Sequence, residues 1–334
     1  MHVAPELHRK LVEVDVPALD DHVRQLREVL IANGNTDSFL PQLRHISRVV
    51  GVPELSVRIT TLATQWLCEL GDYVGAVKEL GTLGDLEQLN DTLALVLVTK
   101  LVDLPAHEER RYLTRAISSA LSKGEKWFAE LELVRHLSGC GEREKALRRV
   151  ESVIAESTGT TIHRDALADA LSLRWEITGK EEDFLTAKNE LKTFADLEHQ
   201  NQLAAILIDH GEFDQAERVL SDKLHATDPV AQLLTIDARV RAGRLDAARE
   251  LLLNVATDCI TARLKYPYAV VYSLVALACN DDELKMQAAA NLRQVPSTGN
   301  RVKRNVNDLL QALKDRDFKG RGSIVARIYD LFTR

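Results

Sequence analysis

The chain is short of the residues that interrupt helices. It has 8 prolines and 16 glycines in 334 residues, too few for an all-β chain punctuated by turns or for a disordered one. Cysteine is scarce too. Cys68, Cys140, Cys259 and Cys279 stand far apart with no Cys-x-x-Cys pair, which argues against a disulfide framework or a cysteine zinc site and for reduced thiols. No apolar run is long enough to cross a bilayer core of about 30 Å. The longest, Tyr266 to Cys279, is broken by Pro267 and Ser273 and reads as a buried helix. Met1-His2-Val3-Ala4-Pro5-Glu6 lacks the basic flank and apolar run of a secretory signal. A cytoplasmic location without membrane insertion is therefore expected.

Groupings that carry chemistry are missing as well. His107-Glu108-Glu109-Arg110-Arg111 starts like a zinc-protease helix but has no second histidine four residues on. The ten histidines are scattered, and they form no metal-ligand set with the cysteines. Gly320-Arg321-Gly322-Ser323 lacks the spacing and the lysine of a phosphate loop, and no strand precedes it. Glu181-Glu182-Asp183 and Asp281-Asp282-Glu283 fall at turns, where acidic residues favour helix starts. The expectation is a protein that is not an enzyme, with no catalytic residue, metal or cofactor.

What the chain does have is apolar and charged material in helical proportion: 45% hydrophobic and 28% charged residues, enough for a continuous core under a wet surface. The net charge of −7 disfavours wholesale nucleic-acid binding, but it is unevenly placed. From Asn300 to Arg334 nine basic residues face four aspartates, so this end carries +5 and the remainder −12.

The most informative feature is a recurring pattern of glycine, a charged residue, a bulky residue, two variable positions and alanine. Gly211-Glu212-Phe213-Asp214-Gln215-Ala216 shows it best, and Leu220 follows four residues on. Copies start at Gly71 (with Ala76 and Leu80), Gly141 (Ala146, Val150) and Gly243 (Ala248, Leu252). Gly71 to Gly141 and Gly141 to Gly211 are each 70 residues, and Gly211 to Gly243 is 32, which gives a period near 34 with slippage. Weaker copies are expected at Gly179, with two residues inserted before Ala187, at His107–Leu121 around Tyr112 and Ala116, and at Asn280 with Ala288.

Before Gly211, residues Leu203, Ile206, Leu207 and His210 recur at i, i+3, i+4 and i+7, one face of a helix. Gly211 then suits a left-handed cap, Phe213 would fill the gap between two helices, and Ala216 would let them approach closely. Asp228-Pro229 supplies a cap and a first-turn proline for the next helix. Trp66, Trp127 and Trp175 fall in first helices and suit the core, with Trp127-Phe128 the pair best placed to expose one ring.

These residues resemble the tetratricopeptide-repeat superfamily, most clearly over Leu203–Leu252 and Leu62–Leu80. The large aromatic and the Leu-Gly pair of that pattern are absent from the first helix, which leaves related helical-hairpin families open. The resemblance implies an all-α, right-handed α-solenoid of stacked antiparallel helix pairs with capping helices at both ends. Residues 1–52 would form an N-terminal cap, 53–295 the repeats and 296–334 a basic C-terminal helical segment.

It also implies that first helices line a concave groove. Carried over unit by unit, the groove-facing positions are Arg58, Thr61, Gln65 and Glu69, then Phe128, Leu131 and Arg135, then Glu198, Asn201 and Asp209, then Asp237 and Arg241. They mix acids, glutamine and apolar residues, which does not support a Lys/Asn/Arg clamp for a peptide carboxylate. Three functions follow: a non-catalytic scaffold or adaptor that binds a protein or peptide partner, a regulator that responds to a bound peptide, or a helical-repeat RNA binder. The last would need base-reading pairs recurring with the period, and none is evident. At the C-terminus Ser323 suits the cap of a final helix with Ile324, Val325, Ile328, Leu331 and Phe332 on one face. That helix can cover the last repeat, or Lys319, Arg321, Ile324, Ile328 and Phe332 can dock on a partner.

Overall fold

The computed structural model describes residues 38–49, 53–69, 72–102, 104–158, 164–221, 228–255, 265–295 and 300–315, with Val23 and Gln25. These form sixteen α-helices and one short 3-10 turn at Leu86–Gln88, and no strand occurs among the described residues. Two compact units, residues 1–133 and 134–334, meet inside one helix.

The first unit holds α1 (Phe39–Val49), α2 (Pro53–Glu69), α3 (Tyr73–Gly81), α4 (Thr92–Leu101), α5 (Ala106–Ser119) and the start of α6 (Lys123–Gly139). Successive helices pack as pairs, α2 with α3 and α4 with α5, and α2 also packs directly on α4. At the N-terminal end α1 lies on α2, and Phe39 meets Trp66 edge-on at 5.0 Å in a cluster with Leu43, Ile46 and Ile59. The helix expected before α1 is described only at Val23, which is buried in this cluster, and Gln25.

The second unit continues with α7 (Arg143–Ser157), α8 (Arg164–Thr178), α9 (Glu181–Leu191), α10 (Leu197–His210), α11 (Phe213–Leu220), α12 (Pro229–Arg241), α13 (Leu245–Asn254), α14 (Lys265–Ala278), α15 (Asp282–Arg293) and α16 (Asn300–Asp315). Within it α10 packs on α12, α12 on α14 and α14 on α16. First helices thus form a row, and each second helix leans on the first helices beside it. Burial follows that placement. α12 buries seven residues and α13 only Ala248 and Leu252, because a first helix is enclosed on several sides and a second helix on one. The last pair is covered by α16, which packs on α14 and α15 and buries Leu309, Ala312 and Leu313. The later segment with Ser323 and the docking candidates Lys319, Arg321, Ile324, Ile328 and Phe332 lies outside the described residues.

The repeated turn has one hydrogen-bond scheme. Gly211 sits at φ 90°, ψ 10°; its N–H donates to Ile208 O at 3.0 Å, and that of Glu212 donates to Leu207 O at 2.8 Å. This is the closure that satisfies the last helical carbonyls. The same two bonds recur at Gly141 (to Ser138 O, 3.0 Å, with Glu142 to Leu137 O, 2.9 Å) and at Gly243 (to Val240 O, 3.1 Å, with Arg244 to Arg239 O, 2.8 Å). They recur again at Asn280, 3.2 Å to Leu277 O, with Asp281 donating to Ala276 O at 3.3 Å. Asn280 is at φ 50° and is the one non-glycine with positive φ among the described residues; asparagine tolerates that region. The copy expected there shares the turn's hydrogen bonds, but Lys285 stands where Ala216 stands and the buried Ala288 comes one turn later. Gly71 itself is outside the described residues, but Asp72 N–H donates to Leu67 O at 2.9 Å, the same second bond.

A Cβ added at Gly211 would meet nothing within 4 Å. Gly211→Ala should therefore lose only the left-handed backbone preference, about 1–2 kcal/mol. Urea unfolding measures this; an unchanged midpoint would show that the turn does not depend on that conformation.

Two other expected copies also differ from the pattern. Before Ala187 nothing is inserted: Lys180 caps α9 and the helix begins at Glu181, the same distance from Gly179 as α11 is from Gly211. Instead Phe184 stands where Ala216 stands, its N–H bonded to Lys180 O as that of Ala216 is to Glu212 O, and the buried alanine comes one turn later. The phenyl ring stacks on His210 at 3.6 Å and lies 5.4 Å from Trp175, so an aromatic cluster occupies the place that a methyl group takes at Ala216. The stretch His107–Leu121 is a second helix without the glycine turn. Pro105 begins α5 by accepting from the N–H groups of Glu108 and Glu109; Tyr112 and Ala116 are buried, and Leu121 is exposed beyond the helix end.

Candidate functional site: the first-helix faces

Because first helices lie side by side in phase, residues one repeat apart meet. Four such contacts join neighbouring first helices at sequence separations of 32 or 33. They are Arg58 with Asp91 at 3.1 Å, Lys100 with Glu132 at 3.1 Å, Gln202 with Asp169 at 2.9 Å and Arg241 with Asp209 at 3.0 Å. The period written in the turns is therefore also written in a ladder of polar side chains. Opposite or complementary polar residues one period apart are the signal that would have found Asp91, Lys100, Glu132, Asp169 and Gln202 in the sequence.

In the first unit most of the expected groove residues are engaged by the fold. Arg58 is 5% exposed; one nitrogen reaches Asp91 and another reaches Glu125 at 2.9 Å, tying α2 to α4 and α6. Asp91 also caps α4 by accepting from Ala94 N–H at 2.8 Å. Thr61 is 0% exposed and its hydroxyl donates to Val57 O at 2.8 Å, so it presents nothing outward. Gln65 is half-buried, and the side chain of Glu69 lies outside the described residues. Trp127 is buried while Phe128 is half-buried, with the Lys100 ammonium 5.6 Å from its ring centre. Leu131 is core. In the second unit Arg135 is half-buried on the continuation of α6.

The remaining candidates come together on α10 and α12. Glu198 and Asp209 are exposed, and Ala205, which the sequence did not single out, is half-buried between them. Asn201 is buried and its Nδ2 donates to Asp228 Oδ2 at 2.9 Å. Asp228 in turn caps α12, accepting from Ala231 N–H at 3.0 Å, with Pro229 in the first turn as expected. Arg241 lies between two carboxylates, its Nη1 on Asp209 and its Nε on Asp237, both at 3.0 Å.

Asp237 is buried, and burial pushes its carboxyl above the ordinary carboxylate range against the opposing pull of Arg241. An acid whose pKa is raised on folding contributes stability that is present at low pH and lost as pH rises through the folded value. Asp237→Asn should remove that component, leaving a chain whose unfolding free energy falls less between about pH 4 and neutrality. Urea titrations across that window measure it, and identical pH slopes for the two proteins would contradict it.

Among the described residues no group of three or more His, Cys, Asp or Glu could hold a metal ion, and no helix is long and apolar enough to cross a membrane. What the face offers is a row of polar side chains held in place by helix packing.

No family model matches the chain, and no curated protein matches it either. Among solved structures the chain is similar to a tetratricopeptide repeat protein from Parabacteroides merdae, with 15% identity over 89% of this chain and 99% of that one and a TM-score of 0.45. The helix-pair repeat is established by the chain's own turns and packing.

Proposed function

We propose that the chain is a non-catalytic interaction scaffold that holds a protein or peptide segment on its first-helix faces. The observation that supports this reading most is the division of labour within each repeat. The glycine turn, the buried alanine and the second helix are engaged in folding. The first-helix face carries an ordered row of acids, amides and guanidinium groups, part of which reaches solvent at Glu198, Ala205 and Asp209. Side chains already ordered by packing lose little entropy on binding, which favours recognition.

The test uses affinity capture with the full chain, quantified by mass spectrometry. Two variants are compared with it: Glu198→Gln/Asp209→Asn on the first-helix face, and Val74→Ser/Met286→Ser on exposed second-helix positions. A partner lost with the first and kept with the second supports the reading. A partner lost only with the second, or turnover of a substrate by the purified chain alone, overturns it.

A further inference from the structure

The α10–α12 face contains a buried acceptor that no described residue supplies with a donor. Asn201 is 4% exposed, and its contact with Asp228 fixes the amide's orientation, because the reversed amide would turn its oxygen toward a carboxylate. Oδ1 is thereby buried, and no described residue donates to it. Leaving such a group unmet is costly, and a donor of the right geometry recovers the loss. Glu198, Ala205 and Asp209 stand three residues before, four after and eight after Asn201, all on one stripe of a helix.

One repeat period from Ala205, on α12, is Asp237, buried and acidic. The donors along this stripe already have acceptors. The Gln202 amide is on Asp169, and the Arg241 guanidinium is on Asp209 and Asp237. The stripe is thus rich in acceptors and acidic, and no described residue meets its buried amide oxygen.

Resting on the reading that first-helix faces hold the partner, we propose that the α10–α12 face recognises a basic segment, with a Lys or Arg side chain donating to Asn201 Oδ1 beside the carboxylates of Glu198, Asp209 and Asp237. From Asn201 to Asp209 the helix rises about 12 Å at ~1.5 Å per residue. An extended peptide covers that length in about four residues at ~3.3 Å each, and its alternate side chains face the same way. Basic residues at i and at i+2 or i+4 would therefore both reach the stripe.

The experiment selects a phage-displayed library of random linear peptides on the intact chain and measures the recovered peptides by fluorescence anisotropy. The expected sequences carry alternating Lys or Arg. Their affinity should fall about tenfold or more in Glu198→Gln/Asp209→Asn and drop steeply with added salt. Asn201→Ala should weaken them as well, and because that residue also contacts Asp228, the exposed double variant, with its melting temperature checked, carries the decision. Recovered peptides that are acidic or apolar, yet lose affinity in the double variant, overturn the basic specificity and leave the first-helix face as the binding surface. Recovered peptides indifferent to the double variant, or none at all, overturn both.

Discussion

Replacing Phe184 by alanine is expected to destabilise the 134–334 unit by about 3–5 kcal/mol, the range for truncating a fully buried aromatic. Phe184 is 0% exposed, and its ring is the shared surface of three elements: Trp175 on α8, its own helix α9, and His210 at the end of α10. At three other turns of the second unit the equivalent position is a buried alanine, Ala146, Ala216 or Ala248, whereas here it is an aromatic ring. Removing the ring opens a cavity that the helices cannot close without disturbing Lys188, whose ammonium lies 5.2 Å from the same ring centre and pairs with Glu212 at 2.6 Å. Phe184→Leu should retain much of the stability, since volume is largely kept. A double-mutant cycle with His210→Ala isolates the stacked contact, expected to couple by about 0.5–1.5 kcal/mol. Urea unfolding is the measurement, and a Phe184→Ala loss below about 1 kcal/mol would mean that the site collapses freely and is not a rigid spacer.

Arg58→Met should cost about 3 kcal/mol, because it leaves the carboxylates of Asp91 and Glu125 facing each other without their counter-charge. The side chains are 6%, 13% and 21% exposed; the partial solvation of the two acids puts the loss at the lower end of the range for breaking buried pairs. The companion variant Arg58→Met/Asp91→Asn/Glu125→Gln should regain most of it. It removes the repulsion together with the cation, and asparagine at 91 still caps α4. Such recovery is the signature of an ion network that organises helices rather than one that waits for a ligand. If Arg58→Met unfolds at the same urea concentration as the parent, the guanidinium is not holding α2, α4 and α6 together.

Arg58 also shows where the sequence stopped being legible. The glycine-to-alanine pattern revealed the turns, the period and the helix pairs, since each of its positions has a backbone or packing reason independent of distant residues. Even the displaced case at Asn280 was readable, because asparagine can occupy the same left-handed position. The resemblance to helical repeats then implied a place for Arg58, Thr61 and Asn201 on the groove side of first helices, but it could not say whether a polar residue there looks outward or sideways. That depends on what stands one period away: Asp91 draws Arg58 sideways, Val57 O takes the Thr61 hydroxyl, and Asp228 takes the Asn201 amide. The exchange of Ala for Phe184 was hidden for a related reason. Only the backbone bond from Phe184 N–H to Lys180 O reveals that a ring, with no extra pair of residues, holds the alanine's place.

The charged C-terminal end illustrates a second limit. Composition put the amphipathic, basic material after residue 296, and α16 turns out to cover the last helix pair with Leu309, Ala312 and Leu313. The stripe that suggested a cap at Ser323 has a counterpart earlier in the chain, one that sequence reading passed over because its apolar positions are interspersed with asparagine and lysine.

The central claim is that partners meet the first-helix faces while the turns and second helices serve the fold. The most direct measurement places a photo-crosslinking residue in the intact chain at Ala205, on α10, or at Met286, exposed on α15, and irradiates each with the partner recovered by affinity capture. The account predicts a covalent adduct from position 205 and none from position 286. An adduct from 286 alone would contradict it.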